Sequence, residues 1–126
     1  MSPPPSPSHP PRVLVVDDHR HVRTMLCEVL AQWGCEADGV TSPTEGLDLL
    51  ERGAYDVLLT DFQMPDMTGV ELVERARARS AALRVIMLTG SGADLDLASR
   101  RLDFTLLRKP LDLGRLRTAL AVPAGR

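Results

Sequence analysis

Apolar residues along this chain alternate between two kinds of run. Short apolar blocks, VLVV (13–16) and the cores of DVLLTD (56–61) and RVIMLT (84–89), consist mainly of β-branched and leucine side chains without a polar face, and FTLLRK (104–109) is a fifth strand. Such blocks predict strands covered on both sides. Between them the period changes. Val22, Met25, Leu26, Val29, Leu30 and Trp33 recur at helical spacing, and Gly34 stands where a helix stops. Ser42, Pro43 and Glu45 supply an N-cap, a proline at the first helical position and a capping-box acid before a face of Leu47, Leu49 and Leu50, with Gly53 as the stop. Val70–Arg79 predicts a helix with Val70, Val73 and Ala76 inward. Ala93–Arg101 predicts a short one. Asp112 caps a last helix with Leu113, Leu116 and Leu120 as its core face. CEADGV (35–40) is a weaker strand.

Strand and helix therefore alternate five times. The pattern predicts an α/β fold, a five-stranded parallel sheet, doubly wound in the flavodoxin-like order 2-1-3-4-5, with right-handed crossovers. The first segment, MSPPPSPSHPP, holds six prolines and forms neither helix nor central strand. Residues 1–11 are expected to be a mobile tail or linker, and 12–122 one folded domain.

Composition narrows the classes. The chain has 126 residues, ordinary hydrophobicity at 44%, few aromatics at 3% and a net charge of −2. One domain fits this length, and the charge does not suggest nucleic-acid binding. Cys27 and Cys35 lack metal or redox spacing and are expected to be reduced thiols in a cytoplasmic protein. No apolar run reaches membrane-spanning length.

The chemistry lies at the carboxyl ends of the strands, where open α/β sheets bind ligands. Strand one ends in Asp17 and Asp18, strand three in Asp61, strand four in Thr89, strand five in Lys109. The stated strand order brings the three aspartates together. Two like charges ~4 Å apart repel by about 4 kcal/mol at an effective dielectric near 20, so three need a cation. Oxygen-only ligands favour a hard one such as Mg²⁺, which also takes phosphate oxygens. Lys109 is the only lysine beside fourteen arginines. Its compact ammonium suits a pocket in which it pairs first with a carboxylate and then with a phosphoryl oxygen. Singly, each residue has an ordinary explanation: a helix cap, a turn residue, a strand hydroxyl, a solvated charge. Their conjunction at four strand ends is what points to function. His19 and His21 do not share a helix face and are expected to be solvated residues at the start of helix one.

These residues resemble a known family. VLVVDD, LLTDFQMPDMTG, VIMLTG and LLRKP, over Val13 to Leu120, are similar to the receiver domain of two-component response regulators. The resemblance implies that Asp61 is the phosphoacceptor. It implies that Asp18, Asp61 and the backbone carbonyl of Gln63 ligate Mg²⁺, with Asp17 acting mainly through metal-bound water. It further implies that Lys109 and Thr89 contact the phosphoryl group, and that a cis peptide precedes Pro110. The implied partners are a histidine kinase or a histidine phosphotransfer domain, docking near helix one and the loop after strand five. Membrane and nucleic-acid contacts are not expected, and the domain should be a monomer or weak dimer. Such a domain catalyses its own phosphorylation and dephosphorylation rather than turning over an external substrate.

Three features depart from the family pattern. Leu106 stands where a rotating aromatic is usual. Twenty positions separate Thr89 from Lys109, about two fewer than expected, so the fourth helix should be short or irregular. Only one helix follows Asp112, leaving no output domain before Arg126. The domain is expected to be free-standing or the C-terminal receiver of a hybrid histidine kinase. Gln63 and Ser91 flank the site where they would tune hydrolysis. The competing functions are a non-phosphorylated interaction module of the same fold, a flavin-binding domain, and a Mg²⁺-dependent phosphate-ester hydrolase. The flavin domain would want a glycine- and hydroxyl-rich loop where this chain has DDHRH; the hydrolase would want a cap.

Overall fold

The structure, a computed structural model, describes residues 10–53, 55–90 and 94–121. The proline-rich segment up to residue 9, Ser91 and residue 122 lie outside them. The elements run β1 (Arg12–Val16), α1 (Arg20–Gln32), β2 (Glu36–Val40), α2 (Pro43–Arg52), β3 (Val57–Asp61), α3 (Gly69–Arg79), β4 (Arg84–Thr89), α4 (Asp96–Leu102), β5 (Thr105–Arg108) and α5 (Leu113–Ala121). All neighbouring strands are parallel and the sheet order is β2-β1-β3-β4-β5, as the alternation predicts.

The uninterrupted apolar runs have the expected cause. Leu14, Val16, Leu58, Val85 and Met87 enter one core with Leu72, Val73 and Ala76 of α3. Their chain neighbours Val13, Val15, Leu59, Ile86 and Leu88 enter the opposite core with Leu26 and Leu30 of α1 and Leu116 of α5. Side chains alternate across a strand, so a strand covered on both faces has no polar position to spare. The edge strand β5 shows the contrast: Thr105 and Arg108 are exposed and only Leu106 and Leu107 are half-buried.

Helix signals held at most ends. Ser42 Oγ accepts from Glu45 N (3.2 Å) with Pro43 at the first helical position, and Asp112 Oδ1 accepts from Arg115 N (3.2 Å). Glu45 does not close the expected capping box; its carboxylate takes the Thr41 hydroxyl instead. The complete box is at α3, where Thr68 and Glu71 satisfy each other's backbone donors. Gly34 ends α1 with φ +88°, a left-handed conformation that costs glycine little.

Several expectations need correction. Met25 and Leu113, assigned to apolar faces, are exposed, because α1 buries only a narrow Leu26–Leu30 stripe and α5 turns Leu116 inward. On α3 the periodicity overlooked Leu72, which is fully buried. Ala93, the expected start of the fourth helix, lies outside the described residues; the helix runs Asp96–Leu102 and is followed by Asp103, which holds φ 58°. Its shortness agrees with the reduced Thr89–Lys109 spacing. Arg77 fastens this region: its guanidinium donates to the carbonyls of Leu102, Ala81, Leu83 and Asp103, joining the end of α3 to the start of β4 and the end of α4.

Candidate functional site

Parallel pairing places all strand carboxyl ends on one edge of the sheet. Val16 pairs with Thr60 and Asp61 with Leu88, so the residues just after β1 and at the end of β3 stand side by side. Thr89 closes β4, and its carbonyl accepts from Lys109 N (2.8 Å), which seats the lysine opposite Asp61. Lys109 Nζ lies 3.2 Å from Asp61 Oδ1, and the Lys109–Pro110 peptide is cis.

The carboxylates occupy unequal environments. Asp17 and Asp61 are 1% and 3% exposed, while Asp18 sits at the exposed rim. Asp61 Oδ1 also accepts from Phe62 N (3.0 Å). Asp17 Oδ1 accepts from His19 N (2.8 Å), whereas Asp17 Oδ2 is buried with no hydrogen-bond partner among the described residues. Burying a carboxylate oxygen unpaired costs free energy that a bound cation would offset. Donor atoms of Asp17, Asp18, His19 and Asp61 all lie within 4.8 Å of one another. Three carboxylates, one with an orphaned oxygen, fit a hard divalent cation.

The loop after β3 forms the adjoining wall. Gly69 N donates to Phe62 O (2.8 Å), and a Cβ at Gly69 would come within 2.6 Å of the Asp61 carbonyl oxygen. Only glycine lets α3 begin this close to the strand end that carries Asp61. Asp66 holds φ 73° while Met67 N donates to Pro65 O (2.8 Å), a tight three-residue turn. Asp18, His19, Phe62, Gln63, Met64 and Pro65 line an open depression of about 510 Å³ beside the acids.

All five strand-end side chains named from the sequence thus stand on one edge, with Asp17, Asp18 and Asp61 in one cluster and Lys109 against Asp61. The Asp pair does not cap α1, whose N-cap His19 makes no side-chain capping bond. Two contributors escaped sequence reasoning. His19, expected to be merely solvated, has Nδ1 at 3.3 Å from Asp17 Oδ1 and 3.4 Å from Asp18 Oδ1. Arg23 Nη1 donates to the Asp17 carbonyl (2.9 Å) from the first turns of α1. His19 was findable in principle because it directly follows the two aspartates; Arg23 was not, since its partner is main chain.

Burial pushes the Asp61 carboxyl above the usual carboxylate range; Lys109 and the Phe62 N–H pull it down, and Asp17 pushes it up further. The net direction has a stability consequence. A carboxyl with a raised pKa binds more protons folded than unfolded. Its charge penalty is therefore absent below the unfolded value, grows with pH and is complete above the folded value. In metal-free protein near pH 7, Asp61→Asn is expected to raise Tm by roughly 3–5 °C, about 1 kcal/mol for a domain of this size. The gain should shrink as pH falls toward about 4. Thermal melts in chelator across that range check it, and a lower Tm for the variant at neutral pH would contradict it.

Comparison with known proteins bears on the family. The sequence profile of the response regulator receiver domain matches residues 13–121. The response regulator protein PilR of Pseudomonas aeruginosa is 35% identical over 113 residues, 87% of this chain and 25% of that protein. The sensor histidine kinase RcsC of Salmonella typhi is 33% identical over 117 residues, 90% of this chain and 12% of that protein. The chain thus spans a quarter or less of the length of these two relatives. Among solved structures, the response regulator TrrA of Thermotoga maritima in complex with Mg²⁺-BeF superposes with TM-score 0.79 and 30% identity, covering 87% of this chain and 96% of that one.

Proposed function

This chain belongs to the response regulator receiver domain family, and on that premise we propose that Asp61 is the acceptor of a phosphoryl group passed from a phosphohistidine. As a receiver domain it acts in two-component phosphorelay signalling. The observation that carries the proposal is the buried Asp61 carboxylate held 3.2 Å from the chain's only lysine, beside the orphaned Asp17 oxygen.

Asp18, Asp61 and the Gln63 carbonyl would hold Mg²⁺, with Asp17 acting mainly through metal-bound water; when bound, the ion neutralises charge on the carboxylates and on the transferring group. The chain's own residues do the rest. An Asp61 carboxylate oxygen attacks phosphorus, an O–P bond forms, the P–N bond to the donor imidazole breaks, and the imidazole leaves with the bonding pair and takes up a proton. In-line transfer of this kind depends on position and charge compensation more than on acid–base groups. Lys109 exchanges its pairing with Asp61 for a phosphoryl oxygen. Thr89, buried at the end of β4, offers a hydroxyl on the same edge. Phe62 N–H holds one Asp61 oxygen in place.

The partner is a histidine kinase or histidine phosphotransfer domain meeting the helix-one side and the loop after strand five. The domain is a cytoplasmic monomer or weak dimer, acting alone or as the receiver of a hybrid kinase. No helix among the described residues is long and apolar enough to cross a membrane. Incubation with a small phosphodonor and Mg²⁺, followed by intact mass, tests the proposal. One added phosphoryl group, which fails to form when the ion is chelated beforehand, supports it. Sustained donor turnover without an adduct would support a hydrolase instead, and no adduct with any donor a contact-only module.

Leu106 gives a further expectation. It is half-buried against the core that also holds Met87 and Phe104, and it has no hydroxyl or ring to exchange environments. Structures with and without a phosphoryl mimic are expected to show Leu106 in one rotamer. A swing of Leu106 coupled to Thr89 would show that the usual threonine–aromatic relay survives here without its aromatic.

A further inference from the structure

His19 is the one nitrogen donor in a cluster otherwise made of carboxylates. Its Nδ1 lies 3.3 Å from Asp17 Oδ1 and 3.4 Å from Asp18 Oδ1. Donor atoms around a first-row ion at about 2.1 Å stand about 3.0 Å apart along an octahedral edge and about 3.4 Å along a tetrahedral one. The imidazole thus already holds edge spacing to Asp18, a direct ligand in the site set out above, and stands equally close to Asp17, which acts through metal-bound water. The widest pair in the cluster is within 4.8 Å, little more than the ~4.2 Å that spans an octahedron with metal–donor distances of this size. A second observation points to a cation independently of the histidine: Asp17 Oδ2, on a residue 1% exposed, lacks a hydrogen-bond partner among the described residues.

We propose that His19 is a direct ligand through Nδ1, so that this receiver's site holds a borderline first-row cation such as Co²⁺ or Zn²⁺ more tightly than its carboxylates alone would. Imidazole favours such ions, while carboxylate, carbonyl and water suit Mg²⁺. Ligation needs Nδ1 free of its proton, with the ring proton on Nε2. The side chain is 64% exposed, so Nε2 can reach water, and the ring makes no capping bond to α1. His21, on the first turn of the helix, belongs to no such cluster among the described residues. The proposal rests on the metal site set out above and adds the identity of a ligand and the class of ion it selects.

Calorimetric titration of the full chain with Co²⁺, and separately with Mg²⁺, tests it, using wild type, His19→Ala, His19→Gln, and a His9→Ala/His21→Ala control. Cobalt affinity should fall at least about tenfold in both His19 variants and remain in the control, while Mg²⁺ affinity changes by less than about twofold. The visible spectrum of the cobalt complex should change with His19 alone. Equal cobalt affinity and an identical spectrum in wild type and His19→Ala would overturn the proposal and leave the carboxylate site standing. If wild type bound neither ion, both the ligand assignment and the underlying metal site would fail.

Discussion

Asp61→Asn is expected to abolish the phosphoryl adduct completely while the fold survives or gains stability. The amide keeps the shape of the carboxylate, so the Phe62 N–H and the packing at Gly69 stay satisfied. It removes the negative oxygen that attacks phosphorus, and no other described carboxylate has the same setting. Asp17 is buried, but its Oδ1 is committed to His19 N; Asp18 lies at the rim without the lysine. The check is intact mass after phosphodonor and Mg²⁺, with circular dichroism to confirm folding. A residual adduct of wild-type stoichiometry would move the acceptor elsewhere.

Lys109→Ala is expected to slow phosphoryl incorporation about 10²- to 10³-fold, the effect of removing one preorganised charge-stabilising donor, about 2.7–4 kcal/mol. Lys109 Nζ is 3.2 Å from Asp61 Oδ1, and its main-chain N–H is anchored on the Thr89 carbonyl, so the ammonium is aimed before any donor arrives. Lys109→Arg should recover little of the loss. A planar fork favours two parallel bonds to a carboxylate, whereas the lysine ammonium meets a single Asp61 oxygen, Oδ1, at 3.2 Å. Single-turnover rates at saturating donor measure both variants, and a wild-type rate for Lys109→Ala would remove the lysine from the chemistry.

How much of this was legible in the sequence depended on the kind of signal. Strands β1, β3 and β4 were readable because being covered on both faces makes their apolar runs continuous, and the chain order of strands and helices then fixed which residues share an edge. Asp17, Asp18, Asp61, Thr89 and Lys109 were found because each ends such a run. What stayed hidden depends on geometry that no local pattern carries. The start of α4 at Asp96 carries no local signal, since Leu95 precedes it without a side-chain capping bond. Met25 and Leu113 fit helical periodicity yet face solvent, since periodicity does not set how wide a stripe the sheet covers. His19 looked like a solvated residue because its relation to the aspartates is a matter of backbone turn, and Arg23 and Arg77 act on main-chain carbonyls that have no sequence signature.

The most direct measurement is to locate the phosphoryl group. Borohydride reduces an acyl phosphate to the alcohol, turning a phosphorylated aspartate into homoserine, which peptide mass mapping identifies by position. After treatment with phosphodonor and Mg²⁺, the account predicts homoserine at position 61 alone, and none when the ion is chelated. Homoserine at 17 or 18, or unmodified peptides from protein shown to carry the label, would contradict it.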